Sequence, residues 1–230
     1  MAKVHRHSIF TPLRFLRRAR TTPEIKKLYT SMAWLYEHDD AITLLTKKII
    51  RRVILKGARI RGEENVLEVA SGTGEMTRLI SRSLPKGRLV CLDISIGTLK
   101  RGKRRIEREG LRGRVDFVIG NAELAPLRDN MFDRAICCYA LDTVEHPEIV
   151  ISEMHRLLRR GGHLSVGYKG KPTGFLSTID RLVWEPYLRL VWNCGWVDID
   201  QVFPKAGFSN LATKDHIFGY YRVVTASKPL

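Results

Sequence analysis

The segment with the clearest chemical potential is the glycine-containing stretch E-V-A-S-G-T-G at residues 68–74. The apolar run 65–70 predicts a buried strand, and a helix is expected near 75–83. Between them, Gly72 and Gly74 let the backbone approach a ligand, while the start of the helix offers free N–H groups and the positive end of its dipole. This order of elements predicts a binding loop.

Two acidic residues accompany this loop. Asp93 comes 21 residues after Gly72, at the end of the next predicted strand (88–93), where a carboxylate accepts hydrogen bonds from ribose hydroxyls. Glu68 lies inside the first strand, where an acid suits a cationic amino group better than a pyrophosphate. Thr77 occupies the position of the third glycine in a dinucleotide fingerprint. The residues therefore favour a nucleoside that carries an amino-acid moiety, with nicotinamide binding as a minor alternative.

The rest of the chain supplies elements that could hold such a loop. Strand-like and helix-like segments alternate from residue 65 onward, which is typical of a parallel α/β sheet. Further strands are expected at 114–119, 132–139 and 163–168, and helices at 95–109 and 147–159, the latter ending at Gly161-Gly162. The segments 210–217 and 220–226 alternate like an antiparallel pair, after an aromatic helical stretch at 175–196.

The first 61 residues are expected to be helical. One helix is expected to open at Thr11-Pro12, and another to be capped by Asp40. The second helix is predicted to place its apolar residues inside and its basic residues outside: Ile42, Leu45, Ile49 and Val53 against Lys48, Arg51, Arg52 and Lys56.

Several of these segments resemble the motifs of class I S-adenosylmethionine-dependent methyltransferases. The stretch 68–74 resembles (D/E)-x-(G/A)-x-G-x-G, and 89–94 resembles the second-strand motif that ends in the ribose-binding acid. The stretch 120–127 resembles the adenine-covering G-D-A-E-x-L-P-F, with Asn121 in place of the usual Asp. The stretches 132–135 and 153–162 resemble F-D-x-V and E-x-x-R-V-L-K-P-G-G. Residues 29–37 are similar to the N-terminal motif of ubiquinone/menaquinone-biosynthesis and bacterial phospholipid N-methyltransferases.

The resemblance implies a fold, a cofactor and a binding site. The fold would be α/β, a Rossmann-like, seven-stranded, mostly parallel sheet, with a basic helical N-terminal arm and cap at 1–61. The methyltransferase domain would span 62–230 and include an aromatic lid at 170–200. The cofactor would be S-adenosyl-L-methionine. The implied cofactor-binding residues are Glu68, Ala70, Ser71, Gly72, Gly74, Asp93, Ile94, Asn121, Ala122, Glu123 and Tyr139.

Methyl transfer from a sulfonium is an in-line displacement, so positioning supplies most of the rate, and a protonated acceptor also needs a base. The resemblance places residues after the fourth strand and residues of the cap near the methyl group. The predicted catalytic residues are Tyr29, Tyr36, Tyr139 and His146, and Leu141 and Asp142 are also expected near the methyl group. His146 and Glu145 are the two candidate bases. The alternative is structural: Tyr139 only packs, and 145–147 cap the following helix.

The charge predicts an anionic partner. The net charge is +16, and basic residues concentrate at 1–30, 47–61 and 100–114. All four tryptophans (Trp34, Trp184, Trp192 and Trp196) fall in the cap or the lid, as suits an apolar acceptor or a membrane interface. The segment 1–20 combines an apolar side with clustered arginines, which is typical of a helix on an anionic bilayer, although 1–23 also fits a transit peptide.

These features favour an acceptor in a membrane: a phospholipid headgroup amine, such as that of phosphatidylethanolamine, or an isoprenoid quinone ring. The first alternative is an RNA or tRNA methyltransferase that uses a basic stripe on the helix 95–109 and beyond (Arg101, Arg105, Arg108 and Arg112). Against it, no stacking aromatics accompany the stripe, and 137–140 read C-C-Y-A rather than N-P-P-(Y/F). The second alternative is a binding module without activity.

Other features of the sequence exclude several classes. No apolar run approaches the roughly 18 residues of a spanning helix, and the composition is not that of a disordered chain. The four cysteines form no C-x-x-C pair, which favours a reducing compartment. The seven histidines lack metal-binding spacing, so no metal is expected. We therefore expect a cytoplasmic protein that associates peripherally with a membrane.

Overall fold

The computed structural model describes residues 21–32, 44–111, 114–192, 194 and 197–230. Within these ranges the strands are β1 (Asn65–Val69), β2 (Arg88–Asp93), β3 (Val115–Ile119), β4 (Phe132–Cys138), β5 (Leu158–Lys169), β6 (Ser209–His216) and β7 (Tyr221–Ser227). The helices are α1 (Thr22–Ser31), α2 (Leu44–Gly57), α3 (Glu75–Arg82), α4 (Ile96–Arg108), α5 (Pro147–Leu157), α6 (Phe175–Ile179), α7 (Glu185–Trp192) and α8 (Val202–Lys205). A π-helical turn, Asp180–Trp184, joins α6 to α7.

The described strands form one seven-stranded sheet in the order β3-β2-β1-β4-β5-β7-β6. The first five strands of that order are parallel to their neighbours, while β7 runs antiparallel to both β5 and β6. The predicted mostly parallel sheet with a C-terminal antiparallel pair is therefore confirmed. The strand order reverses between β1 and β4, and in open α/β sheets ligands bind at the carboxyl ends of the strands beside such a reversal.

Helices cover both faces of the sheet. On one face, α5 and Phe203 of α8 pack against alternate residues of the central strands, such as Leu67 and Val69 of β1. On the other face, α2 and α3 pack against Val66. Because side chains alternate along a strand, Glu68 points to the same face as Val66, beside Thr77 of α3 and Cys91 of β2.

The structure corrects the predicted orientation of α2. Ile50 and Ile54 are fully buried, whereas Ile49 is 47% exposed and Arg51 only 5% exposed. Each of these turns offers two adjacent apolar residues, such as Ile49 and Ile50, and the structure buries the second of them. The end of the helix lies so close to the sheet that a Cβ on Gly57 would be 2.8 Å from the Ser165 hydroxyl, and this contact fixes which face of the helix is inward. Asp40, Ile42 and the Leu45 side chain fall outside the described part of the chain, as does Thr11-Pro12.

A second correction concerns the end of α5. The helix ends at Leu157 and β5 begins at Leu158, so the predicted helix end at Gly161-Gly162 is wrong. Both glycines lie in the first part of the strand, where Gly161 has a φ of +72° and its N–H bonds to the Lys228 carbonyl at 3.0 Å. The glycine pair lies where the pairing of β5 with β4 passes from Leu158 directly to His163, an irregularity in the register of the two strands.

Candidate cofactor site

A cleft opens where β1, β2 and β4 end. Its wall comes from the loops that follow these strands and from α1. It therefore lies at the reversal in strand order. The lining residues are Thr22, Ile25, Tyr29, Ala70, Gly72, Leu92, Asp93, Ile94, Thr98, Gly120, Asn121, Ala122, Glu123, Cys138, Tyr139, Ala140, Thr143, Val144 and Glu145.

The loop between β1 and α3 leaves backbone exposed to this cleft. Gly72 has a φ of +56°, and a Cβ built on it would meet nothing within 4 Å. Gly74 has a φ of +84° and caps α3, and its Cβ would lie 2.9 Å from the Gly102 Cα of α4. The two glycines thus do different work: Gly72 leaves space for a ligand, and Gly74 permits helix α4 to support the loop.

Asp93 fastens the loop to the end of β2. Its Oδ2 accepts the Gly72 N–H at 2.7 Å, and its Oδ1 accepts the Ser95 N–H at 2.8 Å and the Thr98 hydroxyl at 3.1 Å. Burial raises the pKa of Asp93, while these hydrogen bonds oppose the rise. Oδ2 accepts only one of these three bonds, and a carboxylate oxygen has two lone pairs, so it can also accept a ligand hydroxyl.

A second recess adjoins the loop and is lined by Glu68 and Arg51. Glu68 is 1% exposed, and its Oε2 accepts the Thr77 hydroxyl at 2.7 Å and the Cys91 thiol at 3.5 Å. Burial raises the pKa of Glu68 to about 8. A buried carboxyl with such a pKa gains from a cationic ligand group, because a positive charge nearby favours its ionised form.

The segment after β3 forms another part of the cleft wall. The Asn121 side-chain oxygen accepts the Glu123 N–H at 3.0 Å, which orients the amide and closes a tight turn. Asn121, Ala122 and Glu123 all line the cleft, as does Ile94 at the end of β2. The structure thus brings the predicted adenine-covering segment next to the predicted ribose-binding acid.

Tyr139 lies between the cleft and the recess and lines both. Its φ is +59°, an uncommon value for a bulky residue, and its N–H bonds to the Gly167 carbonyl at 2.7 Å. The ring stacks at a tilt on Tyr221, with centroids 5.5 Å apart, and the Arg51 guanidinium lies 5.9 Å from its centroid. Ala70, Gly72 and Cys138 also line both spaces, so this is where the two spaces meet.

Helix α1 lies across the cleft between its two rims. At one end, the Thr22 N–H and hydroxyl donate to Glu145 at 2.6 and 2.9 Å, and at the other Thr30 bonds to Ser95 at 3.1 Å. Tyr29 lines the cleft from this helix. The predicted Tyr36 falls outside the described residues.

The two predicted base candidates have different surroundings. The hydrogen bonds from Thr22 lower the pKa of Glu145, so this carboxylate fastens α1 to the rim. The His146 side chain is 46% exposed, 3.7 Å from Glu145 and 3.6 Å from Glu148, and it is not among the cleft-lining residues. His146 occupies the N-cap position of α5, but its side chain makes no capping hydrogen bond.

Leu141 and Asp142 lie behind the cleft wall. Leu141 is fully buried in the core. Asp142 is 6% exposed and accepts the Lys169 N–H at 3.2 Å and the Cys194 thiol at 3.0 Å. These contacts link the end of β4 to the end of β5 and to the segment after α7.

Sequence reasoning missed the support that the loop receives from α4. The Arg105 guanidinium donates to the Thr73 carbonyl at 2.8 Å and pairs with Glu75 at 2.9 Å. Arg105 is thus engaged with the loop, rather than being a member of a solvent-facing basic stripe. No local signal in the sequence pairs Arg105 with Thr73, because the contact joins residues 32 apart. Thr22, Ile25 and Thr98 were missed for the same reason.

Across residues 21–32, 44–111, 114–192, 194 and 197–230, no group of three or more His, Cys, Asp or Glu side chains could hold a metal ion. Nor does a helix in these ranges have the length and apolar character needed to cross a bilayer.

Comparison with known proteins identifies relatives of this domain. A family profile described as "Methyltransferase domain" matches residues 67–166. The ubiquinone/menaquinone biosynthesis C-methyltransferase UbiE of Hahella chejuensis is 32% identical over 151 residues, or 65% of this chain and 61% of that protein. Its namesake from Pseudomonas paraeruginosa is 32% identical over 155 residues, or 66% and 60%. The chain therefore spans about three fifths of the length of these relatives.

Solved structures with the same architecture include the 4+2 cyclase SpnF, with a TM-score of 0.76, 18% identity, and coverage of 92% of this chain and 97% of that one. Phosphoethanolamine N-methyltransferase 2 of Haemonchus contortus has a TM-score of 0.68 at 15% identity, with coverage of 78% and 52%. At these identities the likeness concerns the fold alone. The family profile and the relatives at 32% identity, rather than these folds, identify residues 67–166 as a methyltransferase domain of the class I S-adenosylmethionine-dependent family, whose methyl donor is S-adenosylmethionine.

Proposed function

We propose that this protein transfers a methyl group from S-adenosylmethionine to a membrane-associated lipid. The acceptor would be a phospholipid headgroup amine, such as that of phosphatidylethanolamine, or an isoprenoid quinone ring. The observation that carries the proposal is the cleft itself, in which an open glycine loop, a buried ribose-type acid and an adenine-type segment converge. We further propose that the protein works in the cytoplasm, at a membrane surface.

The residues present fit the cofactor. Gly72 leaves open space beside the loop, and Asp93 retains an acceptor position for a ribose hydroxyl. The segment 121–123 would cover the adenine. Glu68 and Arg51, in the adjoining recess, carry the charges that an ammonium and a carboxylate would require of their partners. The sulfur would then lie where the two spaces meet, near Tyr139.

When bound, the cofactor supplies a methyl group that its sulfonium already activates. The protein itself must orient the cofactor and the acceptor, shield the transfer path from water and deprotonate an acceptor that carries a proton. The Asp93 bonds and the Arg105 contact with Thr73 hold the loop in place, and α1 covers the cleft with Ile25 and Tyr29. Covering the cleft excludes water from the transfer path. Tyr139 and Tyr29 remain our candidates for contact with the acceptor.

Separate observations support the lipid acceptor. The relatives at 32% identity are named as quinone-biosynthesis C-methyltransferases, which favours an acceptor with an isoprenoid quinone ring. The net charge of +16 and the exposed apolar residues of the segment 175–184 favour an acceptor presented by an anionic membrane. The fold does not fix the reaction, since a structure with the same architecture is named a cyclase.

Incubation with methyl-labelled cofactor and total lipid extract tests the proposal. The expected result is label in a lipid-extractable product, identified by chromatography and mass spectrometry. Calorimetry with S-adenosylhomocysteine separates a binding module without activity from an enzyme that was offered the wrong acceptor. Binding without transfer to any lipid would contradict the proposed acceptor class.

An RNA acceptor is the second candidate. Lys100, Lys103, Arg104 and Arg108 are exposed on α4, and such a basic face can bind phosphates. A gel shift with tRNA, set against sedimentation with anionic vesicles, distinguishes the two acceptors. RNA binding together with methylated RNA and no lipid product would replace the lipid with RNA.

A further inference from the structure

Large apolar side chains are exposed on the segment that follows β5. Within the aromatic lid predicted at 170–200, residues 171–192 contain α6, the π-helical turn and α7, and the word lid below refers to these residues. Phe175 is 79% exposed, Leu182 67%, Val183 57% and Trp184 41%. All four lie within residues 175–184, so exposed apolar area is concentrated on one short segment. Patches of this kind on soluble domains mark sites of interaction with proteins or membranes.

Buried polar contacts fix the orientation of the lid. The Lys169 ammonium at the end of β5 pairs with Asp180 at 2.7 Å, and the two side chains are 3% and 6% exposed. Beyond α7, the Cys194 thiol bonds to Asp142 at 3.0 Å. The lid is therefore held at its middle and just after its end, with Asp180 inward and the residues 182–184 outward.

These contacts also place the lid beside the cofactor cleft. Asp142 directly precedes Thr143, which lines that cleft. The parallel strands β4 and β5, which end in Cys138 and Lys169, finish at the same edge of the sheet as the glycine loop. A surface that docks through the lid would thus lie next to the entrance through which an acceptor must pass.

We propose that the lid docks on an anionic lipid bilayer, with the residues Phe175 and Leu182–Trp184 inserted at the interface. This inference rests on the proposed function, because it assigns the surface from which the lipid acceptor would enter. Charge complementarity favours a bilayer over a protein partner. The three basic residues of the lid, Lys171, Arg181 and Arg189, are exposed, whereas its two acids are buried (Asp180) or partly buried (Glu185), so the charge that the lid presents outward is positive.

The chain as a whole adds to this attraction. Basic residues near an anionic surface each contribute favourably, and this chain carries a net charge of +16. An amphipathic surface segment lies in the plane of the membrane, with its apolar side chains at the acyl boundary and its basic ones among the headgroups. The lid supplies both kinds of side chain on one short segment.

Sedimentation with vesicles tests the proposal on the full chain. The probes are vesicles of phosphatidylglycerol and phosphatidylcholine, and vesicles of phosphatidylcholine alone. We expect the native protein to bind the anionic vesicles, and the double variant Leu182→Ser/Val183→Ser to bind them about tenfold more weakly, since two aliphatic side chains leave the interface. The matched control is Met131→Ser, because Met131 is 45% exposed and directly precedes β4 at the opposite edge of the sheet.

Two measurements keep the outcomes distinct. The double variant should retain the native melting temperature and the native affinity for S-adenosylhomocysteine, since its side chains do not line the cleft. Docking through the lid is overturned if the double variant binds anionic vesicles as the native chain does. It is equally overturned if the native chain binds no vesicles, or if the exposed residues only mediate self-association in gel filtration.

The proposed function is tested apart from docking. Methyl transfer to detergent-dispersed lipid does not require a bilayer. A double variant that fails on vesicles but methylates dispersed lipid supports both proposals, whereas a chain that binds vesicles and methylates no lipid contradicts only the acceptor.

Discussion

Alanine substitutions at Gly72 and Gly74 should separate ligand binding from stability. Both glycines have positive φ values, +56° and +84°, so an alanine at either position strains the backbone by about 1–2 kcal/mol. They differ in what the added Cβ meets. At Gly72 it meets nothing within 4 Å and projects into the space where the cofactor must approach.

At Gly74 the added Cβ lies 2.9 Å from the Gly102 Cα, a contact with backbone that no rotamer change can relieve. Overpacking of this kind costs about 1–3 kcal/mol beyond the backbone strain. We therefore expect Gly74→Ala to lower the free energy of unfolding by about 2–5 kcal/mol, and Gly72→Ala by about 1–2 kcal/mol. In contrast, Gly72→Ala should weaken the binding of S-adenosylhomocysteine at least about tenfold, a loss of roughly 1.4 kcal/mol.

Denaturant unfolding and titration calorimetry check the two quantities on the same preparations. Gly110→Ala is the matched control, because Gly110 has a φ of +72°, open space at its Cβ and no place in the cleft lining. It should share the small loss of stability of Gly72→Ala and keep the native affinity. Unchanged affinity in Gly72→Ala would refute the assignment of the loop, and a Gly74→Ala variant as stable as Gly72→Ala would refute the packing argument.

Three further perturbations address the groups around the cleft. Burial raises the pKa of Glu68 from 4.5 to about 8, so the stability that this carboxyl contributes is full below pH 4.5 and is lost as the pH rises through 8. Glu68→Gln should therefore flatten the dependence of the free energy of unfolding on pH in this range. The same variant should remove the proton release that accompanies ligand binding at pH 7, as measured by calorimetry in buffers of different ionisation enthalpy. Arg105→Ala should weaken S-adenosylhomocysteine binding several-fold, by freeing the Thr73 carbonyl, whereas Arg108→Ala on the exposed side of α4 should not. Lys169→Met should destabilise the protein by about 3–5 kcal/mol because it leaves Asp180 charged and buried, and the double variant with Asp180→Leu should recover most of that loss in thermal unfolding.

The alternation of strands and helices and the binding loop could be predicted from the sequence because both are local patterns. The stretch 68–74 combines the end of a strand with the glycines that precede a helix, so seven consecutive residues are enough to predict the turn. The acid at 93 follows from the same pattern, since parallel strands end at one edge of the sheet. These elements could therefore be predicted without tertiary information.

What escaped prediction depends on contacts between distant segments. The orientation of α2 turns on the close approach of Gly57 to Ser165. The role of Glu145 turns on Thr22, which lies 123 residues away in sequence. The pattern of apolar residues admits either face of α2, and an acid before Pro147 fits a base or a cap equally well. Only the tertiary contacts decide which face of α2 is buried and which role Glu145 has.

The two strands on either side of the reversal in strand order end in the same way. Ala70 directly follows β1 with a φ of +56°, and Tyr139 directly follows β4 with a φ of +59°. Such values persist for residues with side chains only where the surroundings enforce them, and here backbone bonds do so: Ser71 N–H to Leu92 at 3.2 Å and Tyr139 N–H to Gly167 at 2.7 Å. The segments that follow β1 and β4 both turn away from the sheet at its edge, and the cleft opens between them. Because backbone hydrogen bonds hold both turns in place, the site is preformed, and ligand binding should need little rearrangement of these two turns.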